Sequence, residues 1–394
     1  MIRRKSLKKS IAASAVAGAV AFSFMFTQPV TAQAEGNGED GHIIPHTIGK
    51  LNISGGITAI LQGTSGIANN GDVTDLSYSF DLSLEAAISE KGKVVVALEA
   101  GDGEGVNENI SSLSVPNYDA ANSFVDGYVI PSVTQVYYEG EYYDGLLGVT
   151  AGKLDVHSMY DENAYANDET DQFVSGIFTR YSENLFTQLE NYYAPGLALT
   201  VHPSDMFELR LIGANGNGSG FEDIFSNGYM VGHVNVMPKL LGRDGNYRVH
   251  VIYDARNYTD INTGDVTENT SFGLSADQEI MDGIGVFARY GVMDDGIDEN
   301  LVKSAISAGV SLSGSLWNRE NDVVGIAAGV LAINEDSSSV AANPDDESHF
   351  EVYYKLGFSE HFTLTPDLQV VTNAGGDADN DTITVYGLRA QMNF

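Results

Sequence analysis

The sequence predicts an all-β chain folded as a 16-stranded antiparallel transmembrane β-barrel, and three observations predict it. The chain ends in a strand that alternates apolar and polar residues. The joins between its strand-like segments sort by length. Beyond an N-terminal leader, no apolar run is long enough for a membrane helix. In hydrocarbon every backbone polar group must be paired internally, so a chain without spanning helices crosses a bilayer only as a closed barrel.

At the N-terminus, Arg3, Arg4, Lys5, Lys8 and Lys9 form a basic head, residues 11–26 are apolar, and Ala32-Gln33-Ala34 supplies the small-residue pattern of a signal-peptidase site. Residues 1–34 are therefore expected to be a cleaved signal peptide. An uncleaved anchor competes, but the apolar stretch is short for a span and rich in small residues. Residues 35–49 are polar and read as a periplasmic N-terminal extension, leaving 50–394 for the barrel.

The formal net charge is −34, and five of the 20 basic residues lie in the leader, so the exported part is more acidic still. That excludes nucleic acid as a partner. With no Cys in the chain, neither disulfides nor thiolate metal sites hold the fold. A continuous hydrogen-bonded sheet is the remaining source of stability, and 43 Gly, 20 Tyr and 17 Phe suit strands and turns.

The first two strands are plain. Leu51, Ile53, Ile57, Ala59 and Leu61 alternate with Asn52, Ser54, Thr58 and Gln62; Leu76, Tyr78, Phe80, Leu82 and Leu84 alternate with Ser77, Ser79, Asp81, Ser83 and Glu85. Similar segments recur near 93–100, 132–140, 146–154, 195–202, 206–213, 228–236, 246–254, 270–278, 284–291, 303–313, 322–332, 348–357, 361–371 and 382–394, which makes sixteen. Short joins at 89–92, 140–145, 202–205, 237–245, 279–283, 314–321 and 358–360 alternate with long joins at 63–74, 101–131, 155–194, 214–227, 255–269, 292–302, 332–347 and 372–381. Outer-membrane barrels have this asymmetry, with short periplasmic turns, longer external loops and an even strand number. A soluble sandwich has no reason to sort its loops; a soluble parallel β-helix or sandwich is the alternative to the barrel. In the last strand Tyr386, Leu388, Ala390, Met392 and Phe394 share one face, and the terminal Phe resembles the C-terminal signature that barrel assembly machinery reads.

About sixteen strands enclose an aqueous channel rather than a filled interior. Strand phase points Arg210, Arg248, Arg289 and Arg389 to the lumen, with Asp81, Glu85, Glu208 and Asp367. Lumen walls are polar in any barrel, and a lipid-facing Arg at the midplane costs about 2–4 kcal/mol, so inward Arg is expected with or without a solute to bind. If a solute is bound, the candidate lumen set is Arg210, Arg248, Arg289, Arg389, Glu85 and Asp367; forked guanidinium groups and carboxylates bond hydroxyls without demanding a charged partner. The longest join, about 155–194, collects Lys153, Asp155, Asp161, Asn163, Tyr165, Asn167, Asp168, Glu169 and Gln172 in a stretch with little strand character. It is a candidate constriction loop, with a solvated external loop as the alternative. Phase does not settle which way Lys153 points.

Several runs together resemble one family. They are LNISGGITAILQGTSG at 51–66, LEAGDGEG at 98–105, GKLD at 152–155, NAYANDET at 163–170, PKLLGRDGNY at 238–247, LSGSLW at 312–317, DLQ at 367–369 and GGDADN at 375–380. They resemble the OprB-type carbohydrate-selective porins over 51–394. The resemblance implies an outer-membrane channel that passes sugars passively and is narrowed by inward-folded loops. The loops here are unusually acidic, as at Asp294, Asp295, Asp298, Glu299, Asp345, Asp346 and Glu347, which favours cations and leaves a general or cation-preferring porin as the alternative.

Other chemistry is weaker. The acidic run 377–381 lacks the Gly and Glu of a calcium loop, so no metal or cofactor is assigned. No Gly-x-Ser-x-Gly or His-Glu-x-x-His occurs, and an enzyme is not expected. Trp317 suits the aromatic girdle at the membrane edge. The expected partners are outer-membrane lipid and lipopolysaccharide, sugars or other small hydrophilic solutes, and the barrel assembly machinery through Phe394. A structural or adhesive barrel with acidic surface loops stays open, as does the choice between monomer and homotrimer.

Overall fold

The computed structural model describes residues 47–48, 51–68, 71–123, 131–180, 193–218, 220–222, 226–240 and 242–394. The expected signal peptide at 1–34 and the extension at 35–49, apart from Thr47 and Ile48, lie outside the described residues.

In chain order the wall strands of the first half are β1 (Leu51–Ser65), β2 (Thr74–Ala87), β3 (Gly92–Asp102), β4 (Ser132–Tyr142), β5 (Leu147–Asp155), β6 (Tyr193–Ser204), β7 (Phe207–Asn215) and β8 (Gly228–Val236). Those of the second half are β9 (Arg243–Thr259), β10 (Val266–Met281), β11 (Ile284–Met293), β12 (Val302–Ser313), β13 (Val323–Ile333), β14 (Glu347–Ser359), β15 (Phe362–Thr372) and β16 (Ile383–Asn393). Each pairs antiparallel with the next, and β16 returns to β1, so the 16 strands close into a barrel. Thr47–Ile48 and Lys239–Leu240 add two-residue hairpin extensions against β1 and β9.

The alternation of the sequence becomes the two faces of the wall. Leu209, Leu211, Val249, Val251 and Leu388 are exposed on the outside, whereas Glu208, Arg248 and Arg389 are buried on the inside. An apolar exterior over a polar interior is the inverse of a soluble fold, as hydrocarbon outside the wall requires.

Loop length sorts less strictly than the sequence suggests. The join expected at 255–269 shrinks to 260–265, because β9 and β10 continue as a paired ribbon past an irregularity between Asp254 and Tyr258. Conversely, the join at 314–322 on the short-turn side is longer and contains a 3₁₀ turn, Gly314–Trp317. The ribbon carries Arg256 and Asn257 among its outward and intermediate positions, so the apolar alternation stops where the strand does not. Trp317 donates from Nε1 to the Tyr354 hydroxyl at 3.1 Å.

Two joins fold inward. One follows β3 and contains α1 (Tyr118–Ser123); the other follows β5 and contains α2 (Gly176–Thr179). The second buries Phe173 and Phe178 against the wall, with the Phe173 ring 5.2 Å from Phe178, 5.6 Å from Phe287 and 5.0 Å from Tyr353 between centroids. Met293, Val302, Ala305, Ala327 and Leu331 complete this seat, all buried. On β13 the residues are apolar on both faces, VVGIAAGVLAI, because the outer face meets lipid and the inner face meets the loop.

The seam between β1 and β16 pairs Leu61 with Leu388 and Ile60 with Arg389, and the terminal residue finishes it: Gly55 N–H donates to Phe394 O at 3.2 Å and Phe394 N–H to Gly55 O at 3.0 Å. A Cβ at Gly55 would lie 2.3 Å from the Asp81 carbonyl oxygen and 2.9 Å from the Phe394 ring. Gly55→Val is therefore expected to lower the temperature at which the folded barrel converts to the unfolded band on a denaturing gel, at a cost of about 1–3 kcal/mol for overpacking. Gly232→Ala, with nothing within 4 Å of the new methyl, should leave the transition in place. Equal behaviour of the two variants would count against a tightly packed seam.

Candidate functional site

The loop between β5 and β6 meets the arginines on the wall. Arg389 on β16 donates from Nη1 to Glu169 O at 2.7 Å and from Nη2 to Gln172 O at 2.8 Å. Arg289 on β11 donates to the carbonyl oxygens of Ala166 and Phe178, reaches Asn167 Oδ1 at 3.3 Å and pairs with Asp161 at 3.2 Å. Arg210 on β7 donates to Met159 O while pairing with Glu208 at 2.9 Å. Arg248 instead pairs with Asp277 on the neighbouring strand, and Asp277 in turn accepts the Ala164 N–H at 3.3 Å. Three of the four guanidinium groups thus bond the loop directly.

The loop's own residues answer from the other side. Asn163 Nδ2 donates to Ser275 Oγ at 3.0 Å. The Tyr165 ring lies on Gly285, where a Cβ would come within 2.1 Å of it, so only glycine leaves room for that ring position. Glu169 pairs with Arg180 at 3.7 Å, and Arg180 donates to Asn167 O at 3.1 Å. The expected set therefore assembles around Arg289, Arg389, Asn163, Tyr165, Asn167 and Glu169.

Other members of the set lie apart from it. Lys153 is a strand residue: in β5 it pairs with Val136 and Pro195, and its ammonium donates to the Val133 carbonyl at 3.3 Å, against the wall rather than in the loop. A Cβ at Gly152, φ +148°, would lie 2.3 Å from the Val136 carbonyl oxygen, yet the strand keeps unbroken register with both neighbours there; apolar residues on both faces of 146–154 are what make its alternation hard to read. Asp155 is the last residue of β5 and accepts from Ser158 N–H at 3.1 Å. Glu85 pairs with Lys93 at 3.1 Å near the short-turn end. Asp367 accepts from Gln369 Nε2 at 2.9 Å on the inner wall.

Glu347, expected only as part of an acidic loop, and Glu351, not among the expected site residues, hold the loop amides. Glu347 accepts from Leu113 N–H, Ser114 N–H and Gly375 N–H at 2.7–2.8 Å and from the Ser112 hydroxyl at 2.7 Å. Glu351 accepts from Val174 N–H at 2.7 Å and Ser175 N–H at 3.1 Å. Both lie on the inward face of β14 with His349 and Tyr353, alternating with Phe350 and Val352; the direction of Glu351 was readable, whereas Glu347 falls in the expected join at 332–347 and is a strand residue in the structure. The loop after β3 is itself a second inward segment: Gln62 and Gln369 both donate to Pro116 O, at 3.1 and 3.0 Å. In α1 the Asp119 carboxyl accepts from Ser79 Oγ at 2.7 Å, and burial pushes its pKa up to about 8 against the pull of that bond.

With both loops seated, a cavity of about 570 Å³ stays open on the β1–β4 and β16 side. Asp81, Glu99, Gln135, Tyr137 and Gln391 line it from the wall, and Asp168, Thr170 and Asp171 from the loop. Among the described residues no cluster of His, Asp and Glu could hold a metal ion.

Comparison with known proteins agrees with this architecture. The model of the OprB family of carbohydrate-selective porins matches residues 66–394. Porin AaxA of Chlamydia abortus is 23% identical over 265 residues, covering 66% of this chain and 57% of that protein, so the chain spans little more than half of its length. An uncharacterized protein of Aquifex aeolicus is 24% identical over 308 residues, 77% of this chain and 84% of that one. Among solved structures, the high-pH form of Pseudomonas putida OprB superposes with a TM-score of 0.76 at 18% identity, covering 88% of this chain and 94% of the other. The outer-membrane channel DcaP of Acinetobacter baumannii gives 0.54 at 11% identity, covering 87% and 97%. These structural likenesses concern the fold, a porin barrel of the outer membrane. On the match of its barrel to the family model, the chain belongs to the OprB family of carbohydrate-selective porins.

Proposed function

We propose that the protein is a passive outer-membrane channel for small hydrophilic solutes, with carbohydrates as its preferred class, and that the loop seated in the lumen sets its width. The observation that carries this reading is the loop's attachment: Arg289, Arg389 and Glu351 bind its backbone carbonyls and amides, and a polar cavity is left beside it. Family membership supports the carbohydrate preference. On this reading the arginines act on solutes indirectly, by fixing the loop. Phe394, which completes the seam, is the residue we assign to recognition by the assembly machinery. Lipid and lipopolysaccharide around the wall, a cleaved leader at 1–34 and association into homotrimers belong to the same proposal.

Planar bilayers containing the refolded protein should show ohmic channels, and liposomes should swell in glucose; a folded barrel without conductance would sink the reading. Arg389→Ala leaves two loop carbonyls without their charged donor, a loss of about 1.5–3 kcal/mol per bond to a charged group. Its single-channel conductance should rise and its discrimination between mono- and trisaccharides should fall. Arg243→Ala, which removes a pair with Asp282 at the exposed short-turn end, should change neither.

The Asp119 carboxyl gives the expected pH dependence. Its value in the fold, about 8, lies above the 3.8 of a free carboxyl, so its contribution to seating α1 is full below pH 4 and is lost as the pH rises through about 8. Conductance should therefore increase between pH 7 and pH 9. Asp119→Asn should flatten that profile, and a native profile already flat over the range would show that α1 does not help set the width.

A further inference from the structure

The lining of the cavity beside the loop is acidic on two sides. Asp81 and Glu99 face it from β2 and β3, Asp168 and Asp171 from the loop, and no Lys or Arg is among its lining residues. The four carboxylates differ in what they already bind. Asp171 is paired with Lys355 at 2.6 Å, and Glu99 accepts from the Tyr193 and Thr134 hydroxyls at 2.7 and 3.1 Å. Asp168 spends Oδ1 on the N–H groups of Thr170 and Asp171, at 2.8 and 3.2 Å. The Asp81 carboxylate accepts no hydrogen bond among the described residues, and three of the four carboxylates have no cation paired with them.

An independent acceptor lies in the same lining. Gln391 is 7% exposed, and its Nε2 donates to Thr170 Oγ1 at 2.7 Å, but its Oε1 accepts nothing among the described residues. A buried amide oxygen without a donor is costly, and it calls for an N–H or O–H from whatever occupies the space. Unpaired carboxylates in a walled cleft call for positive charge. Together they specify an occupant that is rich in donors and cationic.

Neutral hexoses supply the donors without the charge, and alkali ions supply the charge without the donors. We propose that this cavity is a subsite for protonated amino sugars, with the ammonium group placed among Asp81, Glu99 and Asp168 and the ring hydroxyls reaching Gln391 and Gln135. This rests on the channel reading above and names the solute that the acidic side of the lumen prefers. The volume of about 570 Å³ leaves space for one sugar ring and its water.

The test uses the refolded full-length barrel in planar bilayers, titrating block of the potassium current at pH 7 with glucosamine, glucose and N-acetylglucosamine. Glucosamine should block at about tenfold lower concentration than either neutral sugar, the low end of the enrichment that a charged cleft gives. The ratio should collapse in Asp81→Asn/Glu99→Gln, whose near-isosteric changes preserve the wall, and in the native protein at a pH where the sugar amine is neutral. Equal block by the three sugars, or a ratio that survives both changes, overturns the amino-sugar assignment and leaves the channel standing. A folded barrel that carries no current overturns the channel reading and this inference with it.

Discussion

The rest of the interior depends on one constraint: a loop packed inside a barrel must find partners for its own backbone. A buried amide or carbonyl left unpaired costs about 1–3 kcal/mol, and the inward loops have too little regular structure to pair their own. The wall supplies the partners with arginine and glutamate side chains. Arg389 and Arg289 each take two carbonyls, while Glu347 and Glu351 take the amides of Leu113, Ser114, Val174 and Ser175. A guanidinium suits this task because it is purely a donor, so a wrong register of the loop would bring an amide against it.

The same constraint makes the lumen lopsided. The ring cluster of Phe173, Phe178, Phe287 and Tyr353 ties the loop to the β11–β14 wall, where Met293, Ala305, Ala327 and Leu331 give it an apolar seat. Burying these rings removes water from one side of the barrel and leaves the polar space on the other, against β1–β4 and β16. Position in the lumen and chemistry of the lining are therefore one decision. A loop seated on the opposite wall would cover Asp81 and Glu99 instead of facing them.

The wall was legible in the sequence because lipid enforces alternation on every strand, and Arg210, Arg248, Arg289 and Arg389 could be placed by phase alone. The strand ends beyond the lipid were not, since around Tyr258 and Thr259 the sheet continues in water, where either face tolerates polar residues. The loop attachments were less legible still. Arg389 bonds the carbonyls of Glu169 and Gln172, and backbone atoms carry no side-chain signature that would reveal the partner. One signal was present: β13 is apolar on both faces, and a lumen-facing run of Ala305, Ala327 and Leu331 makes no sense in an open aqueous pore. Lys153 misleads for another reason: its strand is in register throughout, but Val149 and Ala151 on its own face and Leu146 and Leu154 on the other leave neither face reading as polar.

The seam strand links closure to width. Arg389 pairs in register with Ile60 across the β16–β1 junction, and the carbonyl it holds belongs to Glu169, flanked by the Asp168 that faces the cavity. Two residues along, Gln391 bonds Thr170. The loop segment that roofs the cavity is thus suspended from the strand that closes the wall. A slip of two residues in the β16–β1 pairing, which keeps every side chain on its face, would still move Arg389 along the barrel by about two strand residues, roughly 7 Å, and carry its anchor out of reach of Glu169. Alternation alone does not forbid that slip. The Phe394 ring opposes it, since it lies where a Cβ on Gly55 would come within 2.9 Å and a slip would set it against a larger residue, so the contact that favours this register of the wall also favours this height of the loop inside it.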